Sequence, residues 1–120
     1  MSALRILVVE DEMMIAMMIE DMLEDLGHEV VGVAQSLNSA MAMAEDKAGQ
    51  YDVAILDINL AGEQSFPVAQ RLMDQGVPFM FATGYGALGV EERFRSVFTL
   101  NKPFQQEELS KAVSKAANAA

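Results

Sequence analysis

At 120 residues the chain has the length of one domain, and its 52% hydrophobic content is enough for one core. No apolar run approaches the roughly 20 residues a membrane-spanning helix needs, and the absence of cysteine excludes disulfide scaffolds and thiolate metal sites. Eight basic residues against 18 acidic ones give a net charge of −10, a field that repels nucleic-acid phosphates and anionic lipid, so the expected partner is another protein.

The first apolar run, Leu4 to Val9, predicts a strand and is halted by Glu10-Asp11-Glu12. A helix is expected from about Met13 to Leu26, closed by Gly27 as a left-handed cap. At ~100° per residue, Ile15, Met18, Ile19, Met22, Leu23 and Leu26 share its core face, while Met13 and Met17 lie on the opposite side with Glu20 and Glu24. His28, in the following turn, has no Cys or His partner and is taken as an ordinary loop residue. Val30 to Ala34 predicts a second strand, and Ser36 caps a helix running to about Ala48.

Val53 to Leu56 is the third strand and ends at Asp57. Pro67 suits the first turn of a helix reaching Gln75, with Gly76 closing it. Val77 to Ala82 is the fourth strand, in which Pro78 fits only at the start. Glycines 84, 86 and 89 favour a loop, with a short helix expected over Val90 to Val97. Phe98 to Leu100 is a fifth strand, and Gln105 to about Ala117 a last helix with Leu109, Ala112, Val113 and Ala116 inward.

Strands alternating with helices predict a parallel sheet covered on both faces. With right-handed crossovers the expected architecture is α/β, a doubly wound five-stranded sheet of order 2-1-3-4-5. In such a sheet ligands bind beyond the carboxyl ends of the strands, where the strand order reverses. Glu10-Asp11 and Asp57 fall at that point, so three carboxylates are expected to converge. Like charges a few ångströms apart repel by about 4 kcal/mol per pair at an effective dielectric of about 20. Protons or a cation must neutralise such a cluster, and oxygen-only ligands in an open site suit Mg²⁺. Thr83 and Lys102 follow the fourth and fifth strands, adding a hydroxyl and an ammonium. These are the parts of a phosphoryl-transfer site.

The blocks Val8-Val9-Glu10-Asp11-Glu12, Ile55-Leu56-Asp57, Ala82-Thr83-Gly84 and Lys102-Pro103-Phe104 resemble those of response-regulator receiver domains, in order and across the whole chain. Phe81-Ala82-Thr83-Gly84-Tyr85 further resembles a receiver subclass associated with atypical sensor kinases and stress signalling in α-proteobacteria. The resemblance implies the flavodoxin-like (βα)5 receiver fold. It also implies a cytoplasmic two-component response regulator, one receiver domain over 1–120 with no output domain. Asp57 would take a phosphoryl group from a sensor histidine kinase or histidine phosphotransferase. Asp11, Glu10, Asp57 and the backbone carbonyl of Asn59 would hold Mg²⁺, while Thr83 and Lys102 bind the phosphoryl oxygens. Lys102-Pro103 would be cis. Output would pass to a downstream protein partner from a monomer or weak dimer, and kinase docking would use the helix carrying Met13 and Met17.

Two positions depart from the family pattern. Thr99 stands where receivers carry a switching aromatic, so Tyr85 becomes the alternative switch candidate, and a phosphorylation-independent pseudo-receiver is the alternative function. The loop after Asp57 has Leu60-Ala61-Gly62-Glu63 where proline is common, Gly62 keeping a turn possible. A phosphatase is disfavoured because Asn59 replaces the second carboxylate such enzymes use. A flavodoxin-like cofactor binder is disfavoured because the loop after the first strand is acidic rather than a phosphate cradle.

Overall fold

A computed structural model describes residues 3–84 and 89–118. The apolar runs become strands β1 (Arg5–Val9), β2 (Glu29–Ala34), β3 (Val53–Leu56), β6 (Phe79–Thr83) and β7 (Thr99–Asn101) of one sheet, ordered β2-β1-β3-β6-β7. Every neighbouring pair in it is parallel. The expected doubly wound order is therefore the observed one. Pro78 lies just before β6, and Thr83, expected to follow that strand, is its last residue.

Alternate residues of the central strands feed two cores. Leu7, Val9, Ala54, Leu56, Phe79 and Phe81 face one side, under helices α2 (Leu37–Asp46) and α3 (Phe66–Asp74). Ile6, Val8, Val53, Ile55, Met80 and Ala82 face the other, under α1 (Met13–Asp25) and α4 (Gln106–Asn118). Burial on both faces explains why these strands read as unbroken apolar runs. Leu109, Ala112, Val113 and Ala116 are the buried residues of α4, as expected.

Helix ends follow the sequence signals. Ser36 Oγ accepts the Ser39 N–H (3.1 Å) at the start of α2. After α1, Gly27 has φ +89, its N–H donates to Glu24 O, and the His28 N–H donates to Leu23 O, a Schellman closure. Gly76 ends α3 the same way, with φ +72 and Val77 N–H donating to Leu72 O.

Three expectations need correction. Met18, placed on the core face of α1, is 38% exposed, because the buried line runs through Ala16, Ile19 and Leu23, and Met18 sits ~100° before Ile19. His28 is buried rather than an ordinary loop residue, its Nδ1 accepting the Leu4 N–H at 3.1 Å. The helix expected over Val90–Val97 shrinks to one 3₁₀ turn, Glu92–Phe94. Only Val90 and Phe94 of that stretch are buried, too few for a packed helical stripe. Phe94 nevertheless pins the segment, stacking on Phe66 at 5.6 Å and meeting Phe79 and Phe81 edge-on at 6.1 Å.

One element had no counterpart in the sequence reading. Strands β4 (Asn59–Leu60) and β5 (Glu63–Gln64) form a two-stranded antiparallel hairpin directly after Asp57. Its turn residues, Ala61 and Gly62, have φ of +53 and +93, both in the left-handed region a tight two-residue hairpin turn requires. Glycine adopts that region freely, whereas alanine does so at a cost of about 1 kcal/mol.

Candidate functional site

Strand register brings the acidic residues together. The Glu10 N–H donates to Ala34 O of β2 at 2.9 Å, and the Asp57 N–H donates to Val9 O of β1 at 2.8 Å. Glu10 and Asp57 thus leave adjacent strands at the same edge, where β1 separates β2 from β3. Carboxylate oxygens of Glu10, Asp11 and Asp57 all lie within 4.8 Å of one another. Glu10 is 1% and Asp57 9% exposed, so solvent screens their repulsion poorly.

Lys102 closes the cluster from the far side of the sheet. Its N–H donates to Thr83 O (2.9 Å) and the Lys102–Pro103 peptide is cis. Its Nζ donates to Glu10 Oε1 and, at 3.2 Å, to Asp57 Oδ2. Burial pushes the Glu10 carboxyl up to about 7, with Asp57 adding to the rise, while the Lys102 hydrogen bond and the Glu12 N–H on Oε2 (3.2 Å) pull the other way. Burial works against the Lys102 ammonium as well. The two facing carboxylates outweigh it and hold its pKa above the ordinary value. The two partners differ because Lys102 meets two opposite charges, whereas Glu10 meets one ammonium and a second carboxylate.

Three carboxyl groups against one ammonium leave negative charge for a ligand to neutralise. The donors are all oxygens, which suits a hard divalent cation better than zinc or copper. Beside the cluster a cavity of about 580 Å³ opens between the β4–β5 hairpin (Asn59, Gly62, Gln64), Ile58, Thr83 and Gly89. Thr83 is buried at the end of β6 and pairs with Asn101.

Glu10, Asp11, Asp57 and Lys102, singled out from the sequence, therefore meet in space, with Thr83 on the wall of the adjoining cavity. Asn59 opens the hairpin, its side-chain Oδ1 accepting the Gly62 N–H (3.0 Å). Thr99 is half-buried in β7 opposite Phe81. The switch candidate Tyr85 lies outside the described residues. Met13 and Met17 are 61% and 55% exposed, on the outer face as expected. Sequence reasoning missed the contact between Asp11 Oδ2 and the Ala61 N–H (3.0 Å). Its only local signal is the Asn59-x-x-Gly62 spacing of a turn. Among the described residues no helix is long and apolar enough to cross a membrane.

The family model for the response regulator receiver domain matches residues 6–114. The solution structure of SdrG from Sphingomonas melonis Fr1 is 45% identical, covers 100% of both chains and superposes with a TM-score of 0.85. The phyllosphere-induced regulator PhyR of Methylorubrum extorquens is 35% identical over 117 residues, which are 95% of this chain and 43% of that protein. The anti-anti-sigma factor PhyR from Bartonella quintana is 30% identical with a TM-score of 0.78, over 99% of this chain and 51% of that one. The chain thus spans about half the length of these PhyR relatives and the whole of SdrG.

Proposed function

The chain belongs to the response regulator receiver domain family, and from that premise we propose that Asp57 is its phosphoryl acceptor, with Mg²⁺ held by Asp11, Glu10, Asp57 and the Asn59 carbonyl. The observation that carries this reading is the convergence of three carboxylates within 4.8 Å, two of which, Glu10 and Asp57, are bridged by Lys102. A carboxylate oxygen of Asp57 attacks the phosphorus of a phosphohistidine. The O–P bond forms as the N–P bond breaks, and the imidazole nitrogen leaves with the electron pair. Bound Mg²⁺ supplies charge neutralisation for the phosphoryl oxygens and the attacking carboxylate. Lys102, already 3.2 Å from Asp57 Oδ2, pairs with the incoming negative charge, and the Thr83 hydroxyl donates to a phosphoryl oxygen.

The phosphodonor is a sensor histidine kinase or histidine phosphotransferase. The methionine face of α1 suits its docking, because Met13 begins two residues after Asp11 and Met13, Met14 and Met17 are all exposed. Flexible thioethers adapt to a partner's side chains. The phosphorylated domain then signals through contact with a downstream protein.

Treatment with phosphoramidate and Mg²⁺, followed by intact mass measurement, tests the core of this reading. Wild type gains the mass of one phosphoryl group, while Asp57→Asn and a chelator-treated sample do not. An unmodified wild type would instead favour a phosphorylation-independent binding module, the reading to which the non-aromatic Thr99 points.

A further inference from the structure

The hairpin after Asp57 touches the site through its backbone. Its tip residue, Ala61, is the one described non-glycine residue with a positive φ, +53. That conformation aims the Ala61 N–H at Asp11 Oδ2, 3.0 Å away and 50 positions earlier in the chain. Strained backbone persists where the surroundings over-determine it. Here Asn59 Oδ1 holds the Gly62 N–H at 3.0 Å, Asn59 pairs with Gln64 and Leu60 with Glu63, and the Ser65 N–H donates to Ile58 O at 2.8 Å. Leu60, 1% exposed, anchors the arm in the core. The hairpin is a braced arm with one donor at its tip.

From this geometry we infer that the Ala61 N–H is a positioning donor for the cation site. It holds the Asp11 carboxylate in place among Glu10 and Asp57 and makes the hairpin sense the cation. The inference rests on the Mg²⁺ site proposed above. Asp11 is the least buried of the three acids. It is the one contacted by the hairpin rather than by Lys102. A half-exposed carboxylate otherwise rotates among rotamers, and a hydrogen bond to one oxygen removes that freedom while leaving lone pairs for a cation. Outer hydrogen bonds of this kind commonly fix ligand orientation around metals. The same arm walls the cavity that Thr83 lines, so the donor also ties cation occupancy to the shape of the phosphoryl side.

Backbone amide NMR on the full chain tests this. The Ala61 amide is expected to exchange slowly for a turn position, and its resonance to move on Mg²⁺ titration with the midpoint of the Asp11 and Asp57 amides. Replacing Ala61 with L-lactate by semisynthesis, which swaps the N–H for an ester oxygen without locking φ as proline would, should weaken Mg²⁺ on the order of tenfold. Gly62→Ala strains the same turn but keeps the donor, and should weaken it less. If Mg²⁺ moves Asp11 and Asp57 but not Ala61, or if the two variants bind equally, the positioning role is wrong and the function proposed above survives. If Mg²⁺ moves none of the three, both fall.

Discussion

Asp57 stands at the end of β3 with a carboxylate on one side and an ammonium on the other, and its side chain has little water to screen either. Without a cation its charge adds to that of Asp11 and, as Glu10 ionises through about pH 7, to that of Glu10, each close charged pair costing about 3–4 kcal/mol at an effective dielectric of about 20. Asp57→Asn relieves that repulsion and leaves Lys102 its contact with Glu10. In chelator the variant should therefore melt several degrees above wild type, a gain of about 1 kcal/mol or more after the lost Lys102 contact is subtracted. Mg²⁺ should narrow the gap by stabilising wild type more. A variant that melts lower in chelator would show that the Lys102 bridge, not the repulsion, dominates.

His28 carries a separate pH dependence. Its Nδ1 accepts the Leu4 N–H and its Nε2 is buried with no hydrogen-bond partner among the described residues. Burial holds its pKa below the ordinary value. The unfolded chain therefore takes up the proton first as pH falls. The stability His28 contributes is complete above about pH 6.5 and is lost as pH drops through that value toward the lower folded pKa. Denaturation midpoints of wild type should fall more steeply between pH 7.5 and 5.5 than those of His28→Gln, and parallel slopes would exclude the effect. Nothing in the sequence announced this role. Burial of a turn residue depends on where the chain start, 24 positions away, comes to rest.

At the scale of elements, α1 divides its methionines between two tasks. Met22 packs against the core beside Ile19 and Leu23, while Met13, Met14 and Met17 face outward. Replacing Met13 and Met17 with Gln removes mostly exposed apolar area and no core residue. Stability should change by no more than about 0.5 kcal/mol. Transfer from a phosphorylated histidine partner should slow, whereas phosphorylation by phosphoramidate should keep its wild-type rate. Equal rates with both donors would make these methionines tolerated surface residues. Periodicity was enough to find the outer face of α1, because helical geometry is local. It misplaced Met18, since a stripe's edge is set by the neighbouring helix, and Met14, Met18 and Met22 line a groove that reaches Gln106 at the start of α4. The hairpin Asn59–Gln64 was illegible for a related reason. Two-residue strands have no detectable period, and Ala61 adopts its positive φ only because β4, β5 and Asp11 hold it there.

Across the whole molecule, the fold and the site were legible together because one topological rule links them. Unbroken apolar strands implied a sheet buried on both faces. That implied the order in which β1 and β3 lie side by side, and adjacency placed Glu10, Asp11 and Asp57 at one edge. What the order could not convey was which acid Lys102 meets, because that depends on side-chain reach from β7 across β6. The same molecule carries a net charge of −10, and the site lies within that field. A divalent cation at the proposed site would be drawn by the summed charge as well as by the local carboxylates, and salt screens the distant part over roughly 8–10 Å at physiological strength while sparing the buried contacts. Mg²⁺ affinity, followed by amide shifts, should therefore weaken severalfold between about 20 mM and 500 mM KCl. Neutralising Glu107 and Glu108, exposed acids on α4 outside the acidic cluster, should reproduce part of that loss at low salt and none at high salt. An affinity indifferent to KCl would mean that the local carboxylates alone set cation binding and that the acidity of the surface serves other ends.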